Sequence, residues 1–137
     1  TDRELREYMR EEHEQLNRLG RRRKSRILKR NGVLCGAGRL ACNITPYGEV
    51  NPCVQARLKT GNSMKNAPFF HIWHDHKDIN KLRSLRMKDR KDCNACQLIS
   101  YCNHCPGVAL LKKGSFAAKT PEFCRIARII REAHSSF

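Results

Sequence analysis

Cysteine carries the chemistry of this sequence. Cys93, Cys96, Cys102 and Cys105 follow the spacing C-x2-C-x5-C-x2-C, and Pro106-Gly107 comes directly after them. Thiolates packed so closely repel one another unless a cation neutralises them, and soft thiolate ligands select zinc, Cu(I) or iron–sulfur clusters. Four further cysteines, Cys35, Cys42, Cys53 and Cys124, surround this block. We read all eight as ligands of two 4Fe–4S clusters.

Two other chemistries compete for the same residues. Structural zinc usually takes C-x2-C pairs separated by more than the five residues between Cys96 and Cys102. That gap is short for a zinc ribbon and comfortable for a cluster, whose four irons spread the ligands. Cys105-Pro106 is like the end of the ferredoxin run C-x2-C-x2-C-x3-C-P, whose last cysteine serves the other cluster in two-cluster ferredoxins. A disulfide scaffold in a secreted protein is the second competitor. No apolar signal stretch is present, and the tight pairs suit metal better than cystine.

The bulk composition points the same way. At 137 residues the chain has room for one compact domain with an appended helix. Hydrophobic residues make up 39% and aromatics 7%, thin for a fold held by apolar burial alone, so bound metal is expected to add stability. The net charge of +15 favours anionic partners: nucleic acid, an acidic protein or an acidic peptide. No apolar run approaches the length of a membrane span.

The elements that must position the cysteines are short. Thr1 to Leu19 is expected to form an amphipathic helix, opened by a Thr1/Glu4 capping box and stopped at Gly20. Its apolar stripe is Leu5, Tyr8, Met9, Leu16 and Leu19. Arg21 to Arg30 is a strongly basic run, read as a solvated linker or, less readily, a phosphate-contacting segment without aromatic stacking partners. Val33 to Cys53 reads as a β-hairpin with its turn at Pro46-Tyr47-Gly48-Glu49 and Cys42 and Cys53 near its ends. Gly36 and Gly38 would bring backbone N–H groups close to cluster sulfur. Phe69, Phe70, Ile72 and Trp73 read as core, and the interleaved His71, His74 and His76 as surface or packing histidines. A second helix is expected over Asp78 to Met87 and a short one over Val108 to Leu111, ended by Lys112-Lys113-Gly114. The last helix has Thr120 as N-cap and Pro121 at its first position, with Phe123, Ile126, Ala127 and Ile130 as its buried stripe. Cys124 then falls in its first turn, where the helix dipole favours negative charge. The fold class is α+β: a small metal-stabilised domain with a short hairpin, several short helices and two cluster-binding loops, preceded by an amphipathic helix.

This arrangement resembles the SPASM domain, the auxiliary-cluster domain at the C-terminus of many radical S-adenosylmethionine (SAM) enzymes. That family's pattern is a cysteine, nine to fifteen residues, Gly, four residues, Cys, then C-x2-C-x5-C-x3-C and a last Cys. Here Cys35 is followed after twelve residues by Gly48 and after four more by Cys53, then by Cys93, Cys96, Cys102, Cys105 and Cys124. The gap before Cys105 is two residues instead of three. The resemblance implies a first cluster on Cys35, Cys42, Cys53 and Cys105, and a second on Cys93, Cys96, Cys102 and Cys124. Cys42 lies outside the seven-cysteine pattern, where fully ligated members have an extra ligand.

It also implies a function. Such domains accompany a separate barrel that binds SAM through C-x3-C-x2-C, and no such triplet occurs here. The chain is therefore expected to be the C-terminal part of a larger maturase, not catalytic alone, with residues 1–30 as the tail of the barrel and 31–137 as the SPASM-like domain. S-adenosylmethionine would enter only through the barrel. The expected role is electron transfer and substrate support during modification of a peptide or protein, with flavodoxin or ferredoxin as redox partner, in the cytoplasm. Nucleic acid is not an expected partner on this reading. The alternative is a zinc-binding module that interacts with nucleic acid.

Overall fold

The computed structural model describes residues 1–20 and 31–135; the basic run Arg21 to Arg30 lies outside the described residues. The α+β class holds: the described residues form a two-stranded antiparallel sheet and five α-helices, with short 3-10 turns between them. The chain divides into two compact units, one made of the two terminal helices with Ala95–His104, the other of residues 31–94 with Cys105–Lys119.

The first unit is a helix pair. α1 spans Asp2–Arg18, and Thr1 and Glu4 form the expected reciprocal capping box. Leu19 ends the helix, and Gly20 takes a φ of +63° that residues with a Cβ avoid. α5 spans Pro121–Ser135, and the Thr120 carbonyl accepts from the N–H groups of Phe123 (3.1 Å) and Cys124 (3.3 Å). Met9 packs with Ile130 and Ala133, and Leu5, Ile126 and Tyr101 close over them. Burying each large side chain there stabilises the pair by roughly 1.5–3 kcal/mol. Arg6 bonds Glu132 across the pair at 3.4 Å, and Arg125 bonds Asp2. The buried side of α1 is narrower than its sequence stripe, because Tyr8 and Leu19 face solvent. The apolar contact with α5 runs through Leu5 and Met9, so Tyr8 and Leu19 are left outside it.

The second unit is built on the hairpin. β1 (Asn43–Ile44) pairs with β2 (Val50–Asn51) in the register Asn43 to Asn51 and Ile44 to Val50. Gly48 takes a φ of +81° at the turn, and its N–H donates to the Thr45 carbonyl at 2.9 Å. Two strands this short need an anchor. A pair of buried asparagines supplies it. Asn62 Nδ2 donates to the Val50 carbonyl (3.1 Å) and to Asn51 Oδ1 (3.2 Å), which also accepts from the Leu58 N–H (2.8 Å).

α2 (Phe69–Asp75) and α3 (Lys77–Ser84) follow. Ile72 is buried, whereas Phe70 is exposed and meets the His74 ring at a tilt of 40°, so the aromatic run divides between core and surface. α3 buries Ile79 and Leu82 and stops at Ser84, short of Met87. Arg86 explains the stop: its Nη1 bonds the carbonyls of Arg83 (2.7 Å), Ser84 (2.8 Å) and Leu85 (3.0 Å), which substitutes for further helical turns. Arg83 lies 4.5 Å over the Trp73 ring and donates to the Gly38 carbonyl at 2.5 Å. α4 (Pro106–Lys113) starts two residues before the predicted helix and ends at Gly114, whose φ is +69°. Ala56, Leu82 and Phe116 form the core of this unit, and Cys35 and Cys53 pack against it.

Candidate metal centre

Cys35, Cys53 and Cys105 come from three different places in the second unit. Cys35 opens a tight loop in which the Gly36 carbonyl accepts from Arg39 (3.0 Å) and Leu40 (2.8 Å). Cys53 leaves the end of β2. Cys105 is the N-cap of α4, with Pro106 at the first helical position. Gly107 seats that helix: a Cβ there would lie 2.7 Å from the Gln55 carbonyl carbon and 2.8 Å from the Ala56 nitrogen. The helix start is thus pressed onto the backbone two residues beyond Cys53, which fixes where Cys105 stands.

The Cys35 thiol senses the other two. Burial pushes the Cys35 thiol up, a backbone N–H from Ala37 pulls it part of the way back, and charge on Cys53 and on Cys105 pushes it up again. A half-buried thiol whose ionisation is opposed by burial and by two neighbouring thiols is poorly served as a bare thiolate and well served as a ligand of a cationic iron–sulfur core. The donor set therefore fits such a cluster. Cys42 is exposed and lies just before β1. The N–H groups also differ from expectation. The Gly38 N–H is taken by the carbonyls of Ala41 (3.1 Å) and Pro52 (3.0 Å), so the sulfur-directed donor is that of Ala37.

The other four cysteines divide between the units. Cys93 is in the second and is buried; Arg90 Nη2 donates to its Sγ at 3.2 Å. Cys96, Cys102 and Cys124 are in the first. The Cys96 carbonyl accepts from the Ile99 N–H (3.1 Å) to start the 3-10 turn Ile99–Tyr101, and buried Cys102 ends that turn. Cys124 lies in the first turn of α5, as predicted, with acidic Glu122 beside it. None of the eight is joined in a disulfide. Among the described residues, no three His, Cys, Asp or Glu side chains gather as around a single ion.

The histidines are accounted for by structure. His76 accepts from the Asp78 N–H at 3.2 Å and contacts the Thr60 carbonyl at 2.8 Å, while His71 and His74 are exposed. Sequence reasoning missed Arg90 and Gly107. Arg90 sits in the charged stretch Lys88 to Asp92, where nothing separates a buried arginine from a solvated one. Gly107 did carry a signal, as a glycine directly after Cys-Pro.

The chain belongs to the SPASM family of iron–sulfur cluster-binding domains, whose family model matches residues 35–106. It is 31% identical over 90 residues to an AdoMet-dependent heme synthase of Nitratidesulfovibrio vulgaris, covering 66% of this chain and 23% of that protein. It is 30% identical over 83 residues to the mycofactocin maturase MftC of Mycolicibacterium smegmatis (58% of this chain, 20% of that protein) and of Mycobacterium ulcerans (58% and 21%). The chain thus spans under a quarter of the length of these relatives. No solved structure matches it. Among the described residues, no helix is long and apolar enough to cross a membrane.

Proposed function

We propose that this chain is the auxiliary-cluster part of a radical SAM maturase, holding two 4Fe–4S clusters. Cys35, Cys42, Cys53 and Cys105 would hold one, and Cys93, Cys96, Cys102 and Cys124 the other. When bound, such clusters supply one-electron redox chemistry. The chain's own residues bind and tune them. The Ala37 N–H donates toward Cys35, the α4 N-terminus places positive dipole at Cys105, and the start of α5 does the same for Cys124. The observation that carries the reading is that Cys53 and Cys105, far from Cys35 in sequence, lie in the same unit and near enough for their charge to act on its thiol.

On this reading residues 1–30 are the tail of a SAM-binding barrel and 31–137 the cluster domain. S-adenosylmethionine, a peptide or protein substrate, and a flavodoxin or ferredoxin would meet the full-length enzyme in the cytoplasm, where thiols stay reduced. The relatives include both a maturase and a heme synthase, so the proposed role is maturation, with no single modification favoured.

The test is direct. The chain is reconstituted without oxygen with iron and sulfide, then assayed for iron, zinc and absorbance near 400 nm. Iron near eight atoms per chain with broad brown absorbance is expected. A colourless protein holding zinc alone would instead support the zinc module that its +15 charge allows.

A further inference from the structure

Two arginines in the second unit have visible structural work. Arg83 donates to the Gly38 carbonyl and Arg86 to the three carbonyls that end α3. Arg90 is 4% exposed and bonds no carbonyl or carboxylate through its side chain among the described residues. Its Nη2 donates to Cys93 Sγ at 3.2 Å, and its Nε is buried without a hydrogen-bond partner. The main chain closes the same turn, since the Cys93 N–H donates to the Arg90 carbonyl at 2.8 Å.

This is an unbalanced arrangement for a neutral thiol. A guanidinium stays charged at any accessible pH, and its burial requires an anion. A thiol offers no charge and only a weak acceptor. A metal-bound thiolate supplies both, and sulfide carried by a cluster supplies an acceptor for the remaining N–H. Hydrogen bonds to cluster sulfur and nearby positive charge favour the reduced, more negative state.

We propose that Arg90 is a positioning and tuning residue for the metal centre that Cys93 serves. It fixes the Cys93 sulfur through Nη2, reserves Nε for a second sulfur, and raises the centre's reduction potential. The inference rests on Cys93 being a cluster ligand, as proposed above.

The test uses the full chain, reconstituted without oxygen, and a potentiometric titration followed by electron paramagnetic resonance. Arg90→Met keeps volume and removes charge and donors, while Arg90→Lys keeps the charge. Arg90→Met is expected to retain iron and to make reduction of one centre about tenfold harder, a fall of about 59 mV for a one-electron couple. Arg90→Lys is expected to recover part of that shift. Should Arg90→Met lose iron, retention of iron by Arg90→Lys with an intermediate potential still supports the proposal. Loaded Arg90→Met with unchanged potentials, or loss of iron in both variants, overturns it in favour of packing alone. Cys93→Ser separates the two levels. If it leaves iron and potentials unchanged, the ligand assignment fails and takes this inference with it. If it lowers iron while Arg90→Met changes no potential, only the role of Arg90 fails.

Discussion

Gly107 rests directly on the Gln55 carbonyl carbon, at a distance a side chain cannot share. Substituting alanine forces α4 away from the backbone that follows Cys53. We expect Gly107→Ala to cost about 1–3 kcal/mol, the usual penalty of overpacking. Because Cys105 caps the same helix, iron per chain should also fall on reconstitution. Full iron retention at wild-type stability would show that α4 does not set the position of Cys105.

Cys105 and Cys124 are assigned to different clusters. Cys105→Ala and Cys124→Ala should each reduce iron from about eight toward about four atoms per chain, by removing different spectroscopic signals. If both variants keep the full complement, or both lose the same signal, the partition of ligands is wrong.

The buried asparagine pair predicts a stability effect separable from metal. Asn62→Ala removes the donor to the Val50 carbonyl and to Asn51 Oδ1. Asn51 Oδ1 keeps the Leu58 N–H, and the buried Val50 carbonyl left unmatched costs about 1–3 kcal/mol. Denaturant titration of the metal-free chain should show that loss. A midpoint indistinguishable from wild type would mean water replaces the amide.

Loading should depend on pH. In the metal-free chain burial, with the charges of Cys53 and Cys105 added, holds Cys35 above the ordinary thiol range, so it remains protonated at neutrality. Ligation requires the thiolate and releases that proton, so iron binding strengthens as pH rises toward the raised value and weakens below it. Competition against a chelator of known pH behaviour measures this. A Cys35→Ala chain should show a shallower dependence, and an equal slope in both would remove Cys35 from the ligand set.

Local chemistry made much of this fold legible beforehand. The Thr1/Glu4 box, Thr120-Pro121, Gly48 and Gly114 each act within a few residues, and each marks the element boundary that it predicts. The cysteine spacing was legible for the same reason. Tertiary contacts were not. Phe70 and Ile72 look alike in sequence, yet only the latter turns inward. Arg90 is indistinguishable from its solvated neighbours until its burial is seen. Arg86 stopped α3 early through carbonyl contacts that apolar periodicity does not encode.

The placement of Cys105 on a helix docked against the segment after Cys53 has a consequence for assembly. Cys35 and Cys53 flank one hairpin and can approach early, while Cys105 returns across about fifty residues of intervening chain. Closing so long a loop is slow and entropically costly. The last sulfur therefore arrives only when the surrounding polypeptide has condensed, which makes a completed inorganic core a reporter of finished folding.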